Sequence, residues 1–143
     1  MIGKCIKLMA TFKVFKEAEM LGIGEILRDM VDSLKTEITG VRGVVLSTYE
    51  GLPIVSSTGM EEMEGRISAM ISALSILADK VGGELTSGNM EEVAVSFDDS
   101  RMFCYRVDDS AIMAVITDKD INMGMLSLMV PRFIEKVREV FYQ

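Results

Sequence analysis

Apolar residues return at intervals of three and four in three long stretches of this chain, and at intervals of two in several short ones. Ile26, Leu27, Met30, Val31, Leu34 and Ile38 fall on one side of a helix that opens near Ile23 and stops at Gly40, a one-faced cover for a sheet. Two β-branched runs follow, residues 41–48 and 52–57, joined by Tyr49-Glu50-Gly51. Gly51 supplies the positive φ that such a turn demands, so the pair reads as a hairpin, with Pro53 suited to the first position of an edge strand. Further on, Val93, Val95 and Phe97 alternate, then Phe103, Tyr105 and Val107, while residues 111–116 are apolar almost throughout and predict a central or doubly covered strand. The two links between these strands carry Asp98-Asp99-Ser100 and Asp108-Asp109-Ser110, turns closed by aspartate's own side chain. Residues 122–141 place Leu126, Val130, Phe133, Ile134, Val137 and Phe141 on one helical face. Pro131 interrupts that face and predicts a bend.

The stretch 58–83 organises the rest, because it offers two usable faces. Ile67, Met70, Ile71, Leu74, Leu77, Ala78 and Val81 form a broad apolar stripe, expected to lie on the sheet. Opposite run Gly65, Ala69, Ser72, Ala73, Ile76 and Lys80, nearly all small. Small side chains let a second helix axis come close, so this side suits either a partner helix or solvent. Thr58 with Glu61 reads as a capping box, and Gly82-Gly83 as the stop. The predicted order is helix, hairpin, helix, three-stranded meander, helix: an α+β domain with five strands.

Composition narrows what such a domain does. At 143 residues the chain holds one core, and 13 methionines with no tryptophan make that core aliphatic and soft. The formal net charge of −7 is uneven, with four lysines against two glutamates in residues 1–20 and eleven basic against twenty acidic residues beyond. An acidic body disfavours nucleic acid, which needs a basic surface. Residues 1–20 are read as a basic N-terminal extension to a domain spanning 21–143. For that extension an extra packed helix, a peripheral contact with acidic lipid and a dispensable upstream segment all stay open. No apolar run approaches the roughly twenty residues of a membrane span, and no secretory signal is visible.

The chain has no histidine, hence no ordinary general base and no ordinary metal ligand. Cys5 and Cys104 lack metal-ligand spacing and read as reduced thiols of a cytoplasmic protein, with Cys104 in the core. The glycines around GLPIVSSTG are not followed by the lysine of a phosphate-binding loop, and the carboxylates sit at helix starts and turns. Two Asp pairs without coordinating neighbours do not make a calcium loop. Catalytic residues, cofactor and metal are all expected to be none.

Gly43-Val44-Val45-Leu46-Ser47 with Glu50-Gly51-Leu52-Pro53-Ile54-Val55, and Asn122-Met123-Gly124-Met125-Leu126 opening the last helix, resemble the Roadblock/LC7 family, in its prokaryotic, MglB-like branch. The resemblance covers about residues 21–143. It implies a five-stranded antiparallel sheet with the middle helix on one face and the first and last helices on the other. It also implies a homodimer, or a heterodimer with a related Roadblock protein, paired through the middle helix (residues 65–80) and the strand after it (92–97). The interface expected by position is Gly65, Ala69, Ser72, Ala73, Ile76 and Lys80 with Val93, Val95 and Phe97, and the partner-binding candidates beside it are Arg66 and Glu62. The function implied is a non-catalytic adaptor that binds and regulates a Ras-like small GTPase. A dimeric scaffold of a membrane-associated complex and a small-ligand sensor are the alternatives.

Overall fold

The computed structural model describes residues 23–59, 61–86 and 88–142; the extension assigned to residues 1–20 lies outside them. Helix α1 (Ile23–Glu37) leads into strands β1 (Val41–Thr48) and β2 (Pro53–Ser57), and a short 3-10 turn (Glu61–Met63) opens helix α2 (Glu64–Leu85). Strands β3 (Glu92–Ser96), β4 (Ser100–Asp108) and β5 (Ala111–Asp118) follow, and helix α3 (Met123–Phe141) closes the chain. The five strands make one antiparallel sheet in the order β2-β1-β5-β4-β3.

The periodicities explain this layering. The nearly unbroken apolar run became β5, the middle strand, with Ala111 to Val115 fully buried. Alternation along β1 sends Val44 and Leu46 to one face, where they meet Leu27, Val31 and Leu34 of α1 and Leu126, Val130 and Val137 of α3. It sends Val45 to the other, where with Cys104, Ile112 and Ala114 it meets Ile71 of α2. One helix on one face and two on the other is the architecture that the residue pattern and the resemblance imply.

Local chemistry fixes the corners. Gly51 takes φ 98°, its N–H bonds the Thr48 carbonyl at 3.0 Å, and Thr48 N–H in turn bonds the Leu52 carbonyl at 2.8 Å. A Cβ on Gly51 would stand 3.1 Å from Ala69 Cα and 3.3 Å from Ser72 Cβ, so this turn is also where the hairpin touches α2. Gly51→Ala is therefore expected to cost about 1–3 kcal/mol through backbone strain and the clash combined, seen as a lower urea midpoint; an unchanged midpoint contradicts this account. Asp108 Oδ1 accepts from Ser110 N–H and from Ser110 Oγ at 2.7 Å each, the aspartate turn read from the sequence. Asn122 Oδ1 caps α3 by accepting from Met125 N–H at 3.1 Å. Helix α3 continues through Pro131, which sits on its exposed side, so the carbonyl that proline leaves unpaired is on the solvent side.

Both expected ends of α2 shift. The helix starts at Glu64, and its N-cap position is Met63 with no side-chain cap bond, so Thr58 and Glu61 do not form the capping box. The 3-10 turn intervenes and moves the start beyond Thr58's reach. At the other end the helix continues past Gly82-Gly83 to Leu85, with Thr86 N–H bonding the Gly82 carbonyl at 2.8 Å. Gly82 serves packing instead of termination: a Cβ there would meet the Gly88 carbonyl oxygen at 3.1 Å. Among the described residues no helix is long and apolar enough to cross a membrane.

Candidate functional site

Helix α2 buries a serine row. Ser68, Ser72 and Ser75 lie against the sheet beside Ile71, with Ser72 Oγ donating to the Tyr49 carbonyl and Ser75 Oγ to the Ile71 carbonyl at 2.9 Å. Small side chains at this seam bring the helix axis down onto the hairpin turn at Gly51; the carbonyls satisfy the hydroxyls of Ser72 and Ser75, while Ser68 Oγ is buried with no hydrogen-bond partner among the described residues. The expected polarity of the helix is thus partly reversed. Ile71 lies on the sheet and Ile67, Leu74 and Ala78 border it, but Met70 (55 % exposed), Leu77 (60 %) and Val81 (49 %) point away.

The exposed residues form a row. Ile67, Met70, Leu74, Leu77 and Val81 are spaced 3, 4, 3 and 4, the seam of a helix that packs along another helix. Ile67 and Leu74 also touch the sheet cluster that includes Val93 and Met102, so the row leans toward β3 and β4. β3 is the outermost strand, bonded to β4 on one side only. Val93 and Val95 are half-buried toward α2, and Phe97, one residue past the strand, is largely exposed. A helix face and a sheet edge, both apolar and both unpartnered in the single chain, therefore adjoin.

Of the interface residues expected from the sequence, Val93, Val95 and Phe97 lie at that edge. Gly65, Ala69, Ala73 and Lys80 are exposed on the outward side of α2, where Ala73 stands one turn before Leu77, and Ile76 is half-buried. Ser72 is inside the fold. Met70, Leu77 and Val81, which the residue pattern laid on the sheet, are instead exposed; the heptad spacing of the row was the signal for a second apolar face. Arg66 and Glu62 are both exposed at the start of α2 and are not ion-paired with each other.

At the far end of α2 a polar cluster ties four segments together. Asp79 Oδ2 takes Arg106 Nη2 at 2.6 Å and the Tyr49 hydroxyl, while Oδ1 takes Met90 N–H at 2.8 Å. Arg106 also donates from Nε to the Met90 carbonyl at 3.0 Å and from Nη1 to Asp109 at 3.2 Å, and its guanidinium stacks 5.6 Å from the Tyr49 ring centroid. Burial alone would raise the Asp79 pKa, but the Tyr49 hydroxyl, the Met90 amide and Arg106 together hold it below the usual carboxylate value. Burial and the Asp79 carboxylate push Tyr49 up to about 12. A cavity of about 550 Å³ opens beside this cluster, next to Gly83 and Asn89. Asp79 and Arg106 spend their bonds on the fold, so they read as a lock between α2, the 86–91 connector and β4. Cys104 is buried beneath α2, and burial raises its thiol to about 11, far from a nucleophile's range.

A helix on one face of a five-stranded antiparallel sheet, with that helix and an edge strand left open, is the geometry of a Roadblock domain. The family model for the Roadblock/LC7 domain matches residues 27–117, more than half of the chain, and the protein belongs to this family. An uncharacterised protein of Methanocaldococcus jannaschii is 25 % identical over 114 residues, covering 80 % of this chain and 97 % of that one. Among solved structures, a Roadblock/LC7 domain from Streptomyces avermitilis superposes with a TM-score of 0.78 at 17 % identity, covering 81 % of this chain and 98 % of its own. MglB of Myxococcus xanthus superposes at 0.76 with 12 % identity, covering 83 % and 90 %.

Proposed function

We propose that this protein is a non-catalytic, dimeric adaptor that binds and regulates a Ras-like small GTPase in the cytoplasm. The observation that carries the reading is the apolar row of α2 beside the open edge of β3. A monomer leaving Met70, Leu77, Val81 and Phe97 in water forgoes roughly 25 cal/mol for each Å² of apolar surface that pairing would cover, and an unpaired edge strand invites association. A twofold copy satisfies both at once: α2 packs beside its own copy along the Leu74-Leu77 seam, and β3 pairs with β3 to extend the sheet. Gly65, Ala69 and Ile76 then lie toward the hairpin side of that seam, and Ala73 and Lys80 border it beside Leu77. A related Roadblock chain offering the same row would fit equally well.

The GTPase reading draws support from the family and from the fold shared with MglB. Arg66 and Glu62 stand at the α2 start, where a partner's switch loops would be held in one arrangement, shifting their populations without donating a catalytic group. An arginine finger must reach across into a phosphate site; Arg66, carried on a regular helix, contributes a surface contact. Calorimetry against a Ras-like GTPase encoded beside this gene, in GDP and GTP-analogue forms, tests the proposal. Affinity should differ between the two forms, and Arg66→Ala should weaken binding only several-fold, about 1 kcal/mol. Equal affinity for both forms would leave a scaffold and remove regulation.

A further inference from the structure

The hydrogen bonds at the two ends of β3 show which of its backbone groups β4 leaves over. Phe97 N–H bonds the Ser100 carbonyl at 2.8 Å and Arg106 N–H bonds the Glu91 carbonyl at 3.1 Å, so alternation gives Val93 and Val95 to β4. The N–H and C=O groups of Glu92, Ala94 and Ser96 therefore point to the open edge. Their side chains are exposed on the face of the sheet that carries α1 and α3. Arg101 shares that face, because it alternates with Phe103 and Val107 of the core beneath those helices, and it stands opposite Ser96. Among the described residues neither Glu92 nor Arg101 has an ion pair. Arg101 is half-buried, and its Nε is shut from water with no hydrogen-bond partner, which is costly unless an acceptor arrives. Within one chain the two charges do not meet: Glu92 lies opposite Tyr105, four positions along β4 from Arg101, about 13 Å.

A second copy brings them together. When β3 pairs antiparallel with its own copy about a twofold axis, residues that share a face stand opposite each other, so the axis passes through a residue. An axis at Val93 would set Ser96 against the partner's Met90, whose N–H is already held by Asp79 and whose carbonyl by Arg106. An axis at Val95 would set Glu92 against the partner's Asp98, two like charges. An axis at Ala94, the middle of the five-residue strand, uses every outward backbone group: Ala94 bonds its own copy and Glu92 bonds the partner's Ser96. Val93 then lies opposite the partner's Val95, on the α2 face. In this register Glu92, the partner's Ser96 and the partner's Arg101 stand in line on one face across three strands. Two strand spacings, about 10 Å, separate the first from the last, with only a serine between, and the two long side chains close that gap. We propose, on the dimer reading above, that β3 pairs with its copy about Ala94 and that Glu92 of each chain binds the partner's Arg101, twice per dimer. The pair selects the partner, because a related Roadblock chain without both charges leaves a half-buried arginine unpaired.

Charge exchange between chains tests this. Glu92→Lys and Arg101→Glu each place like charges at both sites of the homodimer, and each alone should raise the dissociation constant on the order of tenfold. Mixed, the two variants put opposite charges together at both sites, so sedimentation with one chain fluorescently labelled should show a heterodimer with an affinity close to the wild type's. A contact inside one chain would give no such recovery. A wild-type dimer whose single variants keep its affinity, or whose mixture fails to regain it, overturns the pairing; a wild-type monomer overturns the dimer on which the pairing rests. Should Arg101→Glu fold poorly, Ala94→Cys in a Cys5→Ser background decides. Opposed residues of a hydrogen-bonded pair stand about 5.5 Å apart at Cα, within disulfide reach, so oxidation should link the two chains. Ser96→Cys, set against Glu92, should not link them. A dimer in which Ala94→Cys stays unlinked overturns the register.

Discussion

Leu77→Arg is expected to convert the protein from a dimer into a folded monomer. Leu77 is the most outward large residue of the α2 row, 60 % exposed in the single chain, so a charge there is free in the monomer. In the paired state the same guanidinium would be buried twice, once from each copy, with no acidic group in the seam to meet it. An unpaired buried charge costs about 3–5 kcal/mol, so the dissociation constant should rise by at least 10³-fold or so. Sedimentation velocity measures this directly, and circular dichroism should show the fold retained. Gly65→Arg separates two versions of the interface, because Gly65 is exposed with open space around it and lies well round the helix from Leu77. If the small residues of α2 were the contact, Gly65→Arg would dissociate the dimer and Leu77→Arg would not; the exposed apolar row predicts the reverse.

Asp79→Ala should produce the largest loss of stability among single substitutions outside the apolar core. It strips Arg106 of the nearer of its two carboxylates, leaves Met90 N–H without an acceptor and removes the Tyr49 hydroxyl's carboxylate partner. Losing these half-buried, charge-assisted bonds together costs about 2–4 kcal/mol, a fall in Tm of order 10 °C. pH gives a second readout. Asp79 has a folded-state pKa below its unfolded value near 4, so its contribution is present above about pH 4 and lost as pH falls through the depressed value. Acid destabilisation below pH 4 should therefore be shallower in Asp79→Ala than in the wild type. Tyr49 has the opposite sign: its pKa is raised to about 12, so its contribution is present below about pH 10 and lost as pH climbs from there to 12. Parallel acid limbs in the two proteins would contradict the role given to Asp79.

Most of this fold was legible because its strands and outer helices obey one period each. The central position of β5 followed from its lack of any polar face and the β1–β2 turn from Gly51. The core pattern of α3 survived Pro131 because the ring points outward, a choice periodicity shows once Val130 and Ile134 are placed inside. What misled was α2. A hydropathy reading assigns the large apolar stripe to the sheet and the small stripe to a partner. Here the close approach at Gly51 demands small residues beneath the helix, so Ser68, Ser72 and Ser75 went inward and Leu77 and Val81 outward. A helix that meets both a sheet and another helix carries two apolar faces, and hydropathy cannot rank them. The Tyr49-Asp79-Arg106 cluster was invisible for a different reason: its members lie 27 to 57 positions apart, and no local pattern announces their meeting.

The account rests on the claim that the α2 row and the β3 edge are covered by a second chain. Light scattering of the purified wild type at micromolar concentration tests it most directly. The expected result is a particle of twice the 15.8 kDa chain mass that does not dissociate on modest dilution. A stable monomer of 15.8 kDa across that range would contradict it.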